Sequence, residues 1–162
     1  MNAANLRLIH RLIEMGSTSL LQYVSEAVPW SADSAHVAID QVCAIAREER
    51  AEVVRLTRQL QKRHLDLPKM GSFPSQFTTI NYVTIDYLLP RLIAEGQRDI
   101  AELQGRLHLA VDDEVRGWMQ GYLAMKERHL QALQVLTANP TPKLETKTNH
   151  ENSKEEKHEK SR

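Results

Sequence analysis

Residues 35–64, AHVAIDQVCAIAREERAEVVRLTRQLQKRH, place the strongest constraint on what this chain can fold into. Val42, Ile45, Glu49, Val53, Leu56 and Leu60 recur at steps of three and four, which puts them on one stripe of an α-helix. Arg47, Glu48, Arg50, Glu52, Arg55, Arg58, Lys62 and Arg63 make up its mixed-sign outer face, which reads as solvated and salt-bridged. Such a helix reaches roughly 45 Å at 1.5 Å per residue, and its apolar stripe needs partner helices to cover it. Within that stripe Glu49 is the exception. A buried carboxylate is costly unless it meets a cation, a proton, a water path or a metal, so the chemical question posed by the chain is what Glu49 faces.

Three further segments carry helical spacing. Over 3–28, Leu6, Ile9, Ile13, Ser17, Leu20 and Val24 share a face, interrupted by Gly16-Ser17-Thr18-Ser19, where small residues allow a neighbouring helix to come close. Pro29 ends this helix, and the short connection to the next supplies Ser31, Asp33 and Ser34 as N-cap residues, so the first two helices are expected to be antiparallel. From Phe77 the pattern resumes through Ile85, Leu89, Leu92, Gly96, Ile100, Leu103 and Leu107, with Pro90 inside it. Asp86 shares a side of this helix with Tyr82, Leu89 and Ile93, which makes it a candidate inward carboxylate. Asp112 and Asp113 cap a last helix over 114–136, whose stripe is Val115, Trp118, Met119, Tyr122, Met125, His129, Leu133 and Leu136. The second connection holds Pro68, Gly71 and Pro74 and has a defined extended path. About 12 extended residues reach roughly 40 Å, enough either to return along the helix length or to turn a corner, and the sequence does not choose between these.

Composition limits the rest. A chain of 162 residues with 41% hydrophobic content is about one domain with a real core. Lys plus Arg and Asp plus Glu both number 21, so no net field draws the chain to nucleic acid or an anionic membrane. No apolar run approaches the roughly 20 residues a membrane span needs. The single Cys43 rules out an internal disulfide and reads as a small residue at the core edge, and the opening MNAANLRLIHRLIEM lacks an export pattern, so a cytoplasmic location is expected. Residues 139–162 are Lys, Glu, Asn, Ser and His with little apolar content beyond Leu144. The expected organisation is a four-helix bundle domain over 1–138 and a disordered charged tail over 139–162.

Helix number and length, the short first turn, the Pro- and Gly-containing second connection and Leu20-Leu21-Gln22-Tyr23 in the first helix together resemble the ferritin-like family, which includes bacterioferritins and rubrerythrins. The resemblance covers about 3–136 and implies an all-α, ferritin-like four-helix bundle. Di-iron members of that family place a Glu on the first and third helices and Glu-x-x-His on the second and fourth. Here the first helix has Gly16 and Ser17 at its middle, the second has Glu49-Arg50-Ala51-Glu52, and the third offers Asp86 or Glu95. The fourth has Lys126-Glu127-Arg128-His129, where the lysine cation would oppose a divalent metal.

Two functional readings follow. In the first, the chain is a ferritin-like bundle without a complete di-iron site, a non-catalytic binding or scaffold protein that needs no cofactor and is open to homo-oligomerisation, with Glu49 and His129 paired across the core. In the second, it is an iron- or manganese-dependent oxidoreductase with a reduced metal-ligand set of Glu49, Glu52, Asp86 and His129. No nucleophile arrangement and no Gly-rich phosphate loop is present, so no catalytic residue is assigned.

Overall fold

The computed structural model describes residues 1–27, 35–69, 71–75, 77 and 83–138, and within them the chain is all-helical, with no strand. The elements are α1 (Ala3–Ser17), α2 (Leu20–Ala27), α3 (His36–Lys62), α4 (Ile85–Arg106) and α5 (Asp113–Ala138), with a short 3-10 turn, Leu107–Leu109, ahead of α5. α1 and α2 are the two parts of the first amphipathic segment, so four helical segments pack together. The connection carrying Ser31, Asp33 and Ser34, the residue Tyr82 and the tail over 139–162 lie outside the described residues.

Local chemistry explains the boundaries. The first segment, expected as one helix, breaks at Thr18 and Ser19. Ser17 Oγ and Thr18 Oγ1 donate back to the carbonyls of Ile13 and Glu14 at 2.6 and 3.0 Å, while Ser19 Oγ accepts the Gln22 N–H at 3.2 Å as an N-cap. The hydroxyl run therefore stops one helix and starts the next. α3 ends in a Schellman arrangement, with His64 N–H bonded to Gln61 O at 3.0 Å, Leu65 N–H bonded to Leu60 O at 3.1 Å, and His64 in the left-handed region at φ 54°. α4 begins later than the spacing from Phe77 implies. Phe77 instead closes a turn onto Pro74 O at 2.9 Å and is buried, and Thr84 holds an extended backbone ahead of the helix. α5 starts as expected, because Asp112 Oδ1 accepts the N–H groups of Glu114 and Val115 at 2.9 and 3.3 Å.

The apolar core falls into two clusters. One, the α1 half, gathers Leu8, Ile9, Leu12 and Ile13 of α1, Leu56 and Leu60 at the end of α3, Leu103 of α4, and Val115, Met119 and Tyr122 at the start of α5. The other, the α2 half, gathers Leu20, Leu21 and Val24 of α2, Ile39 and Val42 at the start of α3, Ile85, Leu88 and Leu92 at the start of α4, and Leu133 near the end of α5. α3 and α4 thus both run from the α2 half to the α1 half and are parallel, while α1–α2 and α5 run the other way.

A parallel α3–α4 pair requires the chain to travel the bundle's length between them. Leu65 packs in the α1 half, and Phe73 and Phe77 sit in the α2 half. There both rings lie against Tyr23, with centroids 5.3 and 5.5 Å from it. The second connection is therefore a lengthwise crossover, the choice that the sequence alone left open. Cys43 sits half-buried at the edge of the α2 half, as its position beside Val42 implied. Among the described residues no helix is long and apolar enough to cross a membrane.

Candidate functional site

Between the two apolar halves lies a layer of buried polar side chains. Glu49 of α3 is fully buried, at 0% exposure, and Lys126 of α5 is 5% exposed. Lys126 Nζ lies 2.7 Å from Glu49 Oε1 and 2.7 Å from Asp99 Oδ2 of α4, so one ammonium bridges carboxylates from two other helices. The Asp99 contact is an ion pair without hydrogen-bond geometry at Oδ2. Glu49 accepts three more hydrogen bonds, from Tyr122 OH at 3.3 Å, Ser19 Oγ at 3.1 Å and Gln22 Nε2 at 3.3 Å. Gln22 is itself fixed, donating to Ala46 O at 2.8 Å and accepting from Arg50 Nε at 3.0 Å. A buried carboxylate is tolerated when its charge is countered and its lone pairs are occupied, and Glu49 meets both conditions.

Packing brings these groups together at the break in the first helix. Gly16 leaves room for α3 and α5 to close in, since a methyl there would lie 2.5 Å from Tyr122 OH and 2.5 Å from Val53 Cγ2. The break also frees the Leu20 N–H, which donates to Glu95 Oε2 of α4 at 2.9 Å. Leu88, Leu92, Glu95, Asp99 and Leu103 follow one another at steps of four, three, four and four, so the two acids continue the inward stripe of α4.

The electrostatics follow from one cation facing several acids out of water. Burial alone would depress Lys126, but Glu49 and Asp99 outweigh it and hold the ammonium above the ordinary lysine range. Burial raises Asp99, with Lys126 opposing. Glu95 is pushed up to about 7, first by burial and then by the neighbouring Asp99 charge, against the counter-effects of Lys126 and the Leu20 N–H. Burial, followed by the charge of Glu49, raises the Tyr122 hydroxyl, which therefore stays a neutral donor. On one side Glu95 and Asp99 line an open groove of about 1120 Å³ shared with Arg11, Arg91 and Arg98, where Arg11 is bound to Glu102 at 2.7 and 2.8 Å.

The sequence-derived ligand set does not converge. Glu49 faces Lys126 rather than His129. His129 Nε2 lies 3.0 Å from Glu48 Oε2, on a face where Arg128 also binds Glu48 at 2.6 Å, so the expected Glu49–His129 pair is replaced by a Glu48–His129 pair. Contact with His129 and Arg128 lowers the Glu48 carboxyl below its ordinary range. Glu52 turns outward to a cleft of about 400 Å³ and is held by Arg55 at 2.6 and 2.8 Å. Asp86 is exposed in the first turn of α4, where its charge complements the helix N-terminus instead of entering the core. Among the described residues no group of three or more His, Cys, Asp or Glu is placed to hold a metal ion. The residues that sequence reasoning passed over are Lys126 as a core residue and Asp99. Lys126 lies four residues after the buried Tyr122 and seven after Met119, a spacing that marks it as inward.

Compared with protein-family models, curated proteins and solved structures, the chain matches none.

Proposed function

We propose that this chain is a ferritin-like helical bundle that acts as a non-catalytic binding or scaffold protein. The observation carrying that reading is Lys126 Nζ at 2.7 Å from carboxylates of both α3 and α4. In a di-iron bundle, carboxylates of facing helices are held together by metal cations. Here an ammonium of the chain's own does that work, and it sits three residues before His129, where the family pattern has a Glu. The residues present do not fit a di-iron group, because a divalent ion between Glu49 and Asp99 would have to displace a buried, doubly paired lysine. The parallel α3–α4 pair joined by a lengthwise crossover supports the ferritin-like part of the reading.

The test is elemental analysis of protein purified from iron- and manganese-supplemented cells. Well under one metal per chain is expected. Near-stoichiometric iron or manganese that disappears in both Glu49→Ala and His129→Ala would overturn the proposal in favour of a metal-dependent oxidoreductase.

A further inference from the structure

His129 is almost wholly buried, with a side chain 6% exposed, and its Nδ1 is a buried atom without a hydrogen-bond partner among the described residues. The other ring nitrogen faces the Glu48 carboxylate at 3.0 Å. A carboxylate only accepts, so Nε2 carries the hydrogen, and in the neutral ring Nδ1 is a lone pair in need of a donor. Lys126, three residues earlier on α5, has a donor to spare. Its ammonium has three N–H bonds; one is given to Glu49, and even with a second turned toward the Asp99 ion pair the third is uncommitted. His129, Lys126 and Glu95 all line one small, partly open cavity of about 20 Å³ between α2, α4 and α5, lined also by Leu21, Leu92 and Gly96. About 10–15 Å³ of such space holds one water, provided two to four polar groups surround it. The cavity has the room and the polar groups for one water.

We propose that this cavity is a specific site for one water molecule, which accepts the third N–H of Lys126, donates to His129 Nδ1 and bonds the Glu95 carboxyl, joining the groove side of the bundle to the Glu48 side by a line along which a proton can pass. Both states of Glu95 are accommodated. Protonated, it donates to the water, and ionised, it accepts the water's second hydrogen. In the transfer itself the Glu95 O–H gives its proton to the water as the water gives one of its own to Nδ1, leaving a Glu95 carboxylate and a His129 imidazolium paired with Glu48. The groups facing Glu95 are the Leu20 N–H from α2, Glu49 from α3, Asp99 from its own helix, and Lys126 and His129 from α5. Those facing His129 on its other side are Glu48 and Arg128.

The test follows the His129 ring nitrogens by NMR in the full chain between pH 5 and 9. In the wild type, the Nδ1 signal should shift in step with the titration of Glu95, and water should show a long-lived cross-relaxation peak at this site. Two variants probe the line. Glu95→Gln should remove that shift while Nε2 stays protonated. Gly96→Ala should remove the water peak and the coupling together, because a methyl at Gly96 meets only Leu130 Cδ1 at an ordinary 3.8 Å and so enters the cavity without a clash. An Nδ1 signal that ignores Glu95, or a coupling that survives in Gly96→Ala, would overturn the proposal.

Discussion

The fate of Glu49 turns on which neighbour it finds. Reading the α5 stripe from its apolar members puts His129 at the centre and does not count Lys126 among the buried residues, since lysine is seldom buried. The spacing from Met119 and Tyr122 nevertheless turns Lys126 inward. What tips the balance is the charge of Glu49, visible in the sequence, whereas the accompanying Asp99 becomes legible only when the α4 stripe is followed through its acids. A double-mutant cycle should therefore find Glu49 coupled to Lys126 by about 0.5–3 kcal/mol in urea unfolding, and more strongly than to His129. Lys126→Met alone should cost about 3–5 kcal/mol, because it leaves a buried carboxylate without its cation. Equal coupling of Glu49 to both residues would contradict the geometry. Glu95 gives the residue scale a pH dependence. Its folded pKa of about 7 stands above the ordinary 4.5, so the folded state keeps a proton that the unfolded state has lost across that window. Its contribution to stability is fully present below about 4.5, declines as pH rises, and is gone above about 7, a change on the order of 3 kcal/mol. Glu95→Gln cannot ionise yet still accepts from Leu20, so between pH 5 and 7 it should lose less stability than the wild type. Urea midpoints across that range measure the difference.

Among the elements, the helices with long unbroken stripes were legible almost to their ends. α3 was expected over 35–64 and runs His36–Lys62, and α5 was expected over 114–136 and runs Asp113–Ala138. Periodicity reports burial, and burial is what holds these helices in place. The break between α1 and α2 was less legible, since apolar spacing continues across it. Its cause is local competition by hydroxyl side chains for backbone groups, which leaves only small residues as a trace. Gly16 is the sharper part of that trace. In most exposed helix positions Gly→Ala gains about 1 kcal/mol, but overpacking a tight contact costs typically 1–3 kcal/mol. With Tyr122 OH and Val53 Cγ2 both at 2.5 Å from the added methyl, Gly16→Ala should destabilise the protein and loosen the Tyr122–Glu49 bond. A raised thermal midpoint for this variant would count against the packing described.

At the scale of the whole molecule, the direction of α4 was not legible, because a Pro- and Gly-bearing connection of that length can cross or turn and local propensities favour neither. Contacts far apart in sequence decide it, with Tyr23 drawing Phe73 and Phe77 to the α2 half. This crossover governs how the chain reaches its final shape. Each half of the core takes pieces from all four segments, so neither half can be assembled from one contiguous stretch and kept while the other is still open. The ion-paired layer between them reinforces this, since its charges are countered only when α3, α4 and α5 are all in position. Refolding and unfolding should therefore proceed as a single exponential phase, with straight chevron arms whose slopes add to the equilibrium value. A stable half-folded species has no surface on which to rest, and for a chain of this kind speed is limited by the search for long-range encounters such as that of Tyr23 with Phe73 and Phe77.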